Sequence, residues 1–267
     1  MYKLAKIQEK EFTIVKELSD EEYKDIQKDF TIIDNFLRDY NRLNVVTRAY
    51  ELFKNFITKY IMREIPYQEL LENVNFYILN FLSSFNSFLD HWQTHVTRLY
   101  GKESMEYKKF KEATAIEFDH CFSYRFIYEL RNYTLHCDMP ISIVRGSIDE
   151  NDSPFVEIII SKSRLRSTYK WRPKVGLESM PEEFDIRGHM ESALNCLKRI
   201  QQVALNLSDI NSLHESTLAI SKLGADYEEN TRLGIVEFPL NTSNTPTSIK
   251  LLKIHEAKKI LEMLVES

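Results

Sequence analysis

Apolar residues recur at helical spacing through most of the first half of the chain. Ile26, Phe30, Ile33, Phe36, Leu37 and Tyr40 fall three or four apart or adjoin, the pattern of an amphipathic helix. Ser19 and Glu22 form the Ser-x-x-Glu box that opens such a helix. The pattern continues through Val46, Tyr50, Phe53, Phe56 and Ile57 to about Met62, with a kink expected near Asn41–Asn44. Pro66 suits the start of a second helix, where a missing amide donor does little harm. That helix should run to Tyr100 and close on Gly101. A third, starting at Ser104, is expected to run unbroken to about Cys137, ahead of Pro140. Before Ser19 only a short strand at 12–15 is indicated.

The texture changes after residue 140. Ile141–Val144 and Phe155–Ile160 are rich in β-branched and aromatic residues and flank a polar stretch from Asp149 to Pro154, the pattern of a β-hairpin with a long loop. Asp185–Leu207 and Asp209–Leu223 return to helical spacing. Leu233–Phe238 and Ser248–Leu252 suggest a second hairpin, and His255–Val265 a last helix. The expected fold is mainly α: an antiparallel helical bundle over 1–140, then a smaller α+β region over 141–267 packed on it. No internal repeat is visible.

Composition narrows the choices. Six glycines and seven prolines in 267 residues leave room for long helices, and 43% hydrophobic with 28% charged residues marks a globular chain. The net charge of −5 offers nucleic acid no global attraction, so an RNA site must be a local basic patch. The three cysteines, Cys121, Cys137 and Cys196, lack metal-site spacing and are expected to be reduced, as in a cytoplasmic protein. Met1–Lys6 has no apolar run, so no secretory leader is expected. The most apolar stretch, Val74–Leu89, is interrupted by Asn75, Asn80, Ser83, Ser84, Asn86 and Ser87, which argues against membrane association.

The densest chemistry lies in Arg131-Asn132-Tyr133-Thr134-Leu135-His136. A histidine moves protons at neutral pH, an arginine grips a phosphate with two prongs, and an asparagine orients either. On one helix Arg125, Glu129, Asn132 and His136 share a polar stripe, and Phe126, Leu130, Tyr133 and Cys137 an apolar one. Arg131 lies about 140° around the helix from His136. A second copy of the chain across a two-fold axis would bring one Arg131 to the other's His136, which predicts a homodimer. The ordinary alternative is that Arg and His serve the negative end of the helix dipole and that Arg125 pairs with Glu129.

The order of elements and the motif together resemble the HEPN superfamily, the all-helical domains of prokaryotic toxins, antiphage systems and related ribonucleases. The likeness is carried by Tyr124-Arg125-Phe126, Leu130-Arg131-Asn132-Tyr133, His136 and Pro140-Ile141 and covers roughly residues 20–140. The family signature is an arginine, four to six residues, then histidine, often with a polar residue straight after the arginine; here Asn132 fills that slot. The resemblance implies a HEPN-like bundle and metal-independent RNA cleavage at a dimer interface, by attack of the ribose 2′-hydroxyl on the adjacent phosphate. Carried onto this chain, His136 is the general acid or base, Arg131 holds the phosphate, and Asn132 positions a neighbour. It also implies a toxin or antiphage role, with an antitoxin or other defence protein as partner. Many members are inactive and only bind RNA or proteins, which leaves a non-catalytic binding module as the alternative.

Other groups carry weaker signals. Lys162, Arg164, Arg166, Lys170, Arg172 and Lys174, interleaved with Tyr169 and Trp171, suit single-stranded RNA. They equally suit a solvated loop whose aromatics dock on the bundle. His91 and His95 stand at i,i+4; the ordinary reading of each is a capped, hydrogen-bonded histidine, and the functional reading is that they support the site by lining the same cleft as His136. Glu117 and His120 form one Glu-x-x-His pair without the second that a di-iron bundle requires. No nucleotide-binding glycine motif or serine elbow is present, and no metal or cofactor is expected.

Overall fold

The computed structural model describes residues 1–8, 11–148, 154–228, 231–239 and 246–265. Strands β1 (Tyr2–Gln8) and β2 (Glu11–Leu18) open the chain, and β1 extends the expected strand content N-terminally. The capping box forms as expected at the start of α1 (Asp20–Ile61): the Ser19 amide donates to Glu22 Oε2 at 2.8 Å, and the Glu22 amide to Ser19 Oγ at 3.2 Å. Helix α1 is continuous through Asn41–Asn44. Asn44 Nδ2 donates to Asn41 Oδ1 at 2.7 Å, so these side chains satisfy one another along the helix instead of competing for its backbone.

Helix α2 (Tyr67–Tyr100) starts after Pro66 and ends on Gly101, whose φ of 83° only glycine adopts cheaply. The single third helix divides into α3 (Met105–His120) and α4 (Phe122–His136). Ser104 caps α3 as predicted, accepting from the Tyr107 amide at 3.1 Å. The break falls at Cys121, whose φ, ψ of −116°, 108° is extended. Arg125 Nη1 donates to the Phe118 and Asp119 carbonyls at 2.7 and 2.9 Å, taking the end of α3 before the backbone turns into α4.

Next come β3 (Ile143–Ile148), β4 (Pro154–Ser161), α5 (Lys162–Thr168), two short 3-10 turns around Gly176, and β5 (Glu183–Asp185). The expected hairpin forms, antiparallel, and β5 adds a third strand beside β4; the polar loop at 149–153 lies outside the described residues. Helices α6 (Arg187–Leu205) and α7 (Ile210–Leu223), strands β6 (Arg232–Glu237) and β7 (Ser248–Leu251), and α8 (Ile254–Val265) complete the chain. The second hairpin, β6–β7, is antiparallel as expected. The protein is thus mainly helical with small antiparallel sheets.

The chain divides into two compact units, Met1–Asp39 with Ser208–Ser267, and Tyr40–Leu207. This replaces the expected boundary at residue 140. The physical reason is strand pairing: β1 sits between β2 and β6, so the two ends of the chain share one sheet in the order β2-β1-β6-β7. In that unit Ser216 Oγ donates to Asp29 at 2.9 Å, and the Lys250 ammonium lies 3.8 Å from the Phe30 ring centroid.

In the unit from Tyr40 to Leu207, α2 contributes Leu70, Val74, Ile78, Phe81, Phe85 and Trp92, all essentially inaccessible. Against them lie Phe126, Leu130 and Tyr133 of α4, and Val156, Ile158 and Ile160 alternate inward from β4. Trp92 Nε1 finds its partner in Gln201 Oε1 at 2.7 Å. Helix α4 is antiparallel to α2: Phe85 meets Tyr124 with ring centroids 5.5 Å apart, and Asn75 accepts from the Ile141 amide. Among the described residues, no helix is long and apolar enough to cross a membrane.

Candidate functional site

The motif occupies the last turns of α4, which stays α-helical through His136. Arg131 and Asn132 are half-buried, and Arg131 Nη1 donates weakly to Asn132 Oδ1 at 3.5 Å. His136 is exposed. Among the described residues no carboxylate pairs with Arg131, and no side-chain hydrogen bond holds His136. Because α4 stays helical through His136, Arg131 and His136 keep the roughly 140° separation of a regular helix. One chain therefore presents the two groups on different faces. Leu135 and Met139 flank His136 and are 55% and 43% exposed.

The two remaining members of the polar stripe are structural. Arg125 does not pair with Glu129; it holds the end of α3 and reaches the Val175 carbonyl. Glu129 is 1% exposed, accepts from the Tyr169 hydroxyl at 2.7 Å and meets Arg172 Nε at 3.4 Å. A buried carboxylate needs such partners. Burial and then the Glu129 contact push the Tyr169 phenol up to about 12, so it remains a donor.

The basic segment is no free loop. It runs back along α4 from its C-terminal end: the Cys137 thiol donates to the Thr168 carbonyl, Tyr169 contacts Tyr133 and Glu129, and Val175 lies beside Arg125. Trp171 stacks on Phe126, with centroids 5.8 Å apart and planes at 17°, and donates to the Leu165 carbonyl. Both aromatics expected to stack on RNA bases are thus occupied by the protein's own rings. Lys162 donates to the Met180 carbonyl, Arg164 pairs with Asp138 at 2.6 Å, and Arg166 pairs with Glu178 at 3.0 Å. The Arg164 contact, followed by the Met139 amide, holds the Asp138 carboxyl below its usual value. Lys170 and Lys174 are exposed and without an ion pair among the described residues.

His91 and His95 do not join His136. From the Phe85–Tyr124 contact the two helices run in opposite directions, which places His91 about 27 Å from His136 along the helices at 1.5 Å per residue. His91 is exposed, and His95 packs edge-on to Trp92 at 5.8 Å. Glu117 is committed to Arg199 in a two-pronged pair of 2.6 and 2.7 Å. Burial works to raise the Glu117 carboxyl, but Arg199 and Cys196 hold it below the usual value.

Sequence reasoning missed one pairing of chemically capable groups, Ser123 Oγ and His189 Nδ1 at 2.9 Å. The residues are 66 positions apart and share no motif. The His189 ring lies edge-on to Phe122, Phe126 and Phe184, so the pair serves to fasten α4 to α6. Burial holds the His189 pKa below 6.5, with Asp185 opposing. As pH falls, the unfolded chain takes up this proton first, so stability present above about 6.5 is lost as pH drops towards the depressed folded value. His189→Gln should therefore lose less stability than wild type between pH 7 and pH 5 in urea unfolding; identical losses would show that His189 contributes nothing.

Among the described residues no group of three or more His, Cys, Asp and Glu side chains is placed to hold a metal ion. No family model, curated protein or solved structure matches the chain.

Proposed function

We propose that the protein is a HEPN-type endoribonuclease whose site is formed by Arg131, Asn132 and His136 and completed by a second copy of the chain. One observation carries this reading: at the end of α4 an arginine and an exposed histidine, neither with a carboxylate partner among the described residues, stand five residues apart on a regular helix. Their divergence is supplied for by a two-fold mate, and the exposed Leu135 and Met139 beside His136 are side chains that such a mate would cover.

In the proposed reaction the 2′-hydroxyl oxygen attacks the neighbouring phosphorus. His136 takes the hydroxyl proton or returns one to the departing 5′-oxygen, and Arg131 balances the charge gathering on the phosphoryl oxygens. The products are a 2′,3′-cyclic phosphate and a 5′-hydroxyl. The role as a cytoplasmic toxin or antiphage effector, restrained by a partner protein, belongs to this same reading. The test is RNA incubated with purified protein in EDTA and analysed for its ends. Cyclic-phosphate ends are expected, and a strict metal requirement would overturn the mechanism.

A second reading rests on the inward docking of Tyr169 and Trp171 and on the divergence of Arg131 from His136. On it the same surface is a non-catalytic RNA- or protein-binding module. Binding without cleavage by wild type, unchanged in His136→Ala, is the result that selects it.

A further inference from the structure

Two of the three cysteines come together where α3 ends. Glu117 and Cys121 stand at i,i+4 and share a face at the C-terminal end of α3, where the Cys121 amide donates to the Glu117 carbonyl. Cys196 and Arg199 stand at i,i+3 and share a face of α6. These two faces meet. Arg199 grips the Glu117 carboxylate at 2.6 and 2.7 Å, and its Nη2 also donates to Cys196 Sγ at 3.3 Å. One turn beyond that ion pair, the Cys196 thiol is in hydrogen-bond contact with Cys121.

The two thiols differ in access. Cys196 is fully buried, Cys121 is half-buried, and both are reduced. Cys121 sits at the break between α3 and α4, where the backbone is extended, so its side chain is not confined to the rotamers of a helix interior. Burial, followed by the Glu117 and Cys121 contacts, pushes the Cys196 thiol up. A thiol so placed is inert towards reagents in solution and meets only what forms on its neighbour. The third cysteine, Cys137, lies at the far end of α4, about 24 Å from Cys121 at 1.5 Å per residue, and takes no part.

We propose that Cys121 and Cys196 are a site of reversible oxidation by hydrogen peroxide, Cys121 taking the oxygen and Cys196 closing a disulfide that ties the α3–α4 junction to α6. In the first step the Cys121 sulfur attacks one peroxide oxygen. The O–O bond breaks, an S–O bond forms, and the departing hydroxide leaves as water with the Cys121 proton. In the second step the Cys196 sulfur attacks the Cys121 sulfenic acid. The S–S bond forms, the S–O bond breaks, and the hydroxide leaves as a second water with the Cys196 proton. The Glu117 carboxylate, which touches the Cys196 thiol, is the local acceptor for that proton on its way. The two thiols together give up two electrons and the peroxide takes both. A small oxidant suits the site, because it leaves a single oxygen on Cys121 for Cys196 to displace. A bulky disulfide reagent would leave its own half wedged between α3 and α6. The oxidation is independent of RNA cleavage at His136.

Peptide mass spectrometry of the full chain tests it. The protein is reduced, desalted, treated with a small excess of hydrogen peroxide, alkylated and digested without reductant. A peptide pair joined through Cys121 and Cys196 should appear, both thiols should be lost together, and dithiothreitol should restore both. In Cys121→Ser, which leaves the buried sulfur in place, Cys196 should stay a thiol. In Cys196→Ala, Cys121 should stop at the sulfenic acid and be trapped by dimedone. Wild type decides the matter even if the buried substitution unfolds the chain. Cys121 and Cys196 both still thiols when Cys137 is oxidised would overturn the proposal. So would Cys121 sulfenic acid accumulating in wild type without the disulfide, or Cys196 oxidised as fast in Cys121→Ser as in wild type.

Discussion

His136→Ala is expected to lower the RNA-cleavage rate by about 10²–10⁴-fold, the usual loss when a positioned general acid or base is removed. The fold should tolerate the change. His136 is exposed, makes no side-chain hydrogen bond among the described residues, and stands in the last turn of α4. Its removal leaves no buried group unpaired and no cavity. The loss should therefore appear in the rate of the chemical step, with the urea midpoint shifted little. Arg131→Ala should cost comparably in rate, because a guanidinium with no ion pair among the described residues is the group available to meet charge on the phosphoryl oxygens. Arg131→Lys keeps the charge and loses the two-pronged geometry, and should recover only part of the rate. Single-turnover cleavage of a labelled RNA reads all three. Unchanged rates in both alanine variants would remove catalysis from this end of α4.

Phe126→Ala should have the largest effect on stability, about 3–5 kcal/mol. Phe126 is fully buried and meets four rings: Phe122 stacked at 5.6 Å, Trp171 stacked at 5.8 Å, and Phe184 and His189 edge-on at 5.4 and 5.7 Å. Truncation forfeits the transfer of a large apolar side chain and leaves a cavity that rings fixed in three elements cannot close. It also unseats Trp171, which pins the basic segment along α4, so Arg172 and Lys174 should become more mobile as a secondary effect. Urea unfolding followed by circular dichroism measures the loss. A destabilisation under about 1 kcal/mol would show that this cluster is less closely packed than its geometry implies.

Legibility in the sequence followed the range of the interactions involved. The start of α1 at Ser19 and Glu22, the entry of α2 after Pro66, its exit at Gly101 and the cap at Ser104 all depend on residues a turn or so apart, and each was visible. The break at Cys121 was not, because no glycine or proline marks it and the Arg125 side chain helps to terminate α3 from beyond the break. The two-unit division was equally hidden: β1 pairs with β6 more than two hundred residues away, and local periodicity carries no record of that.

The same distinction holds at the candidate site. The motif's residue types and the charge of the basic segment could be listed from the chain. That Glu129 is buried under Tyr169, that Trp171 lies on Phe126, and that His91 stands far from His136 are consequences of packing between distant elements. Tyr124 and Tyr128 do share a helical face at i,i+4, but nothing local indicates that Lys111 and Lys174 line one cleft with them.

The central claim is that the site needs Arg131 of one chain and His136 of another, and subunit complementation tests it most directly. Arg131→Ala and His136→Ala chains, each nearly inactive alone, are co-expressed with different tags and the mixed dimer is purified from the random assortment. Half of all dimers in the mixture are mixed, and each mixed dimer contains one intact composite site and one lacking both groups. The unfractionated mixture should therefore recover roughly a quarter of wild-type cleavage, and the purified mixed dimer about half. A mixed dimer no more active than either parent, in a preparation shown to contain both chains, would contradict the shared site.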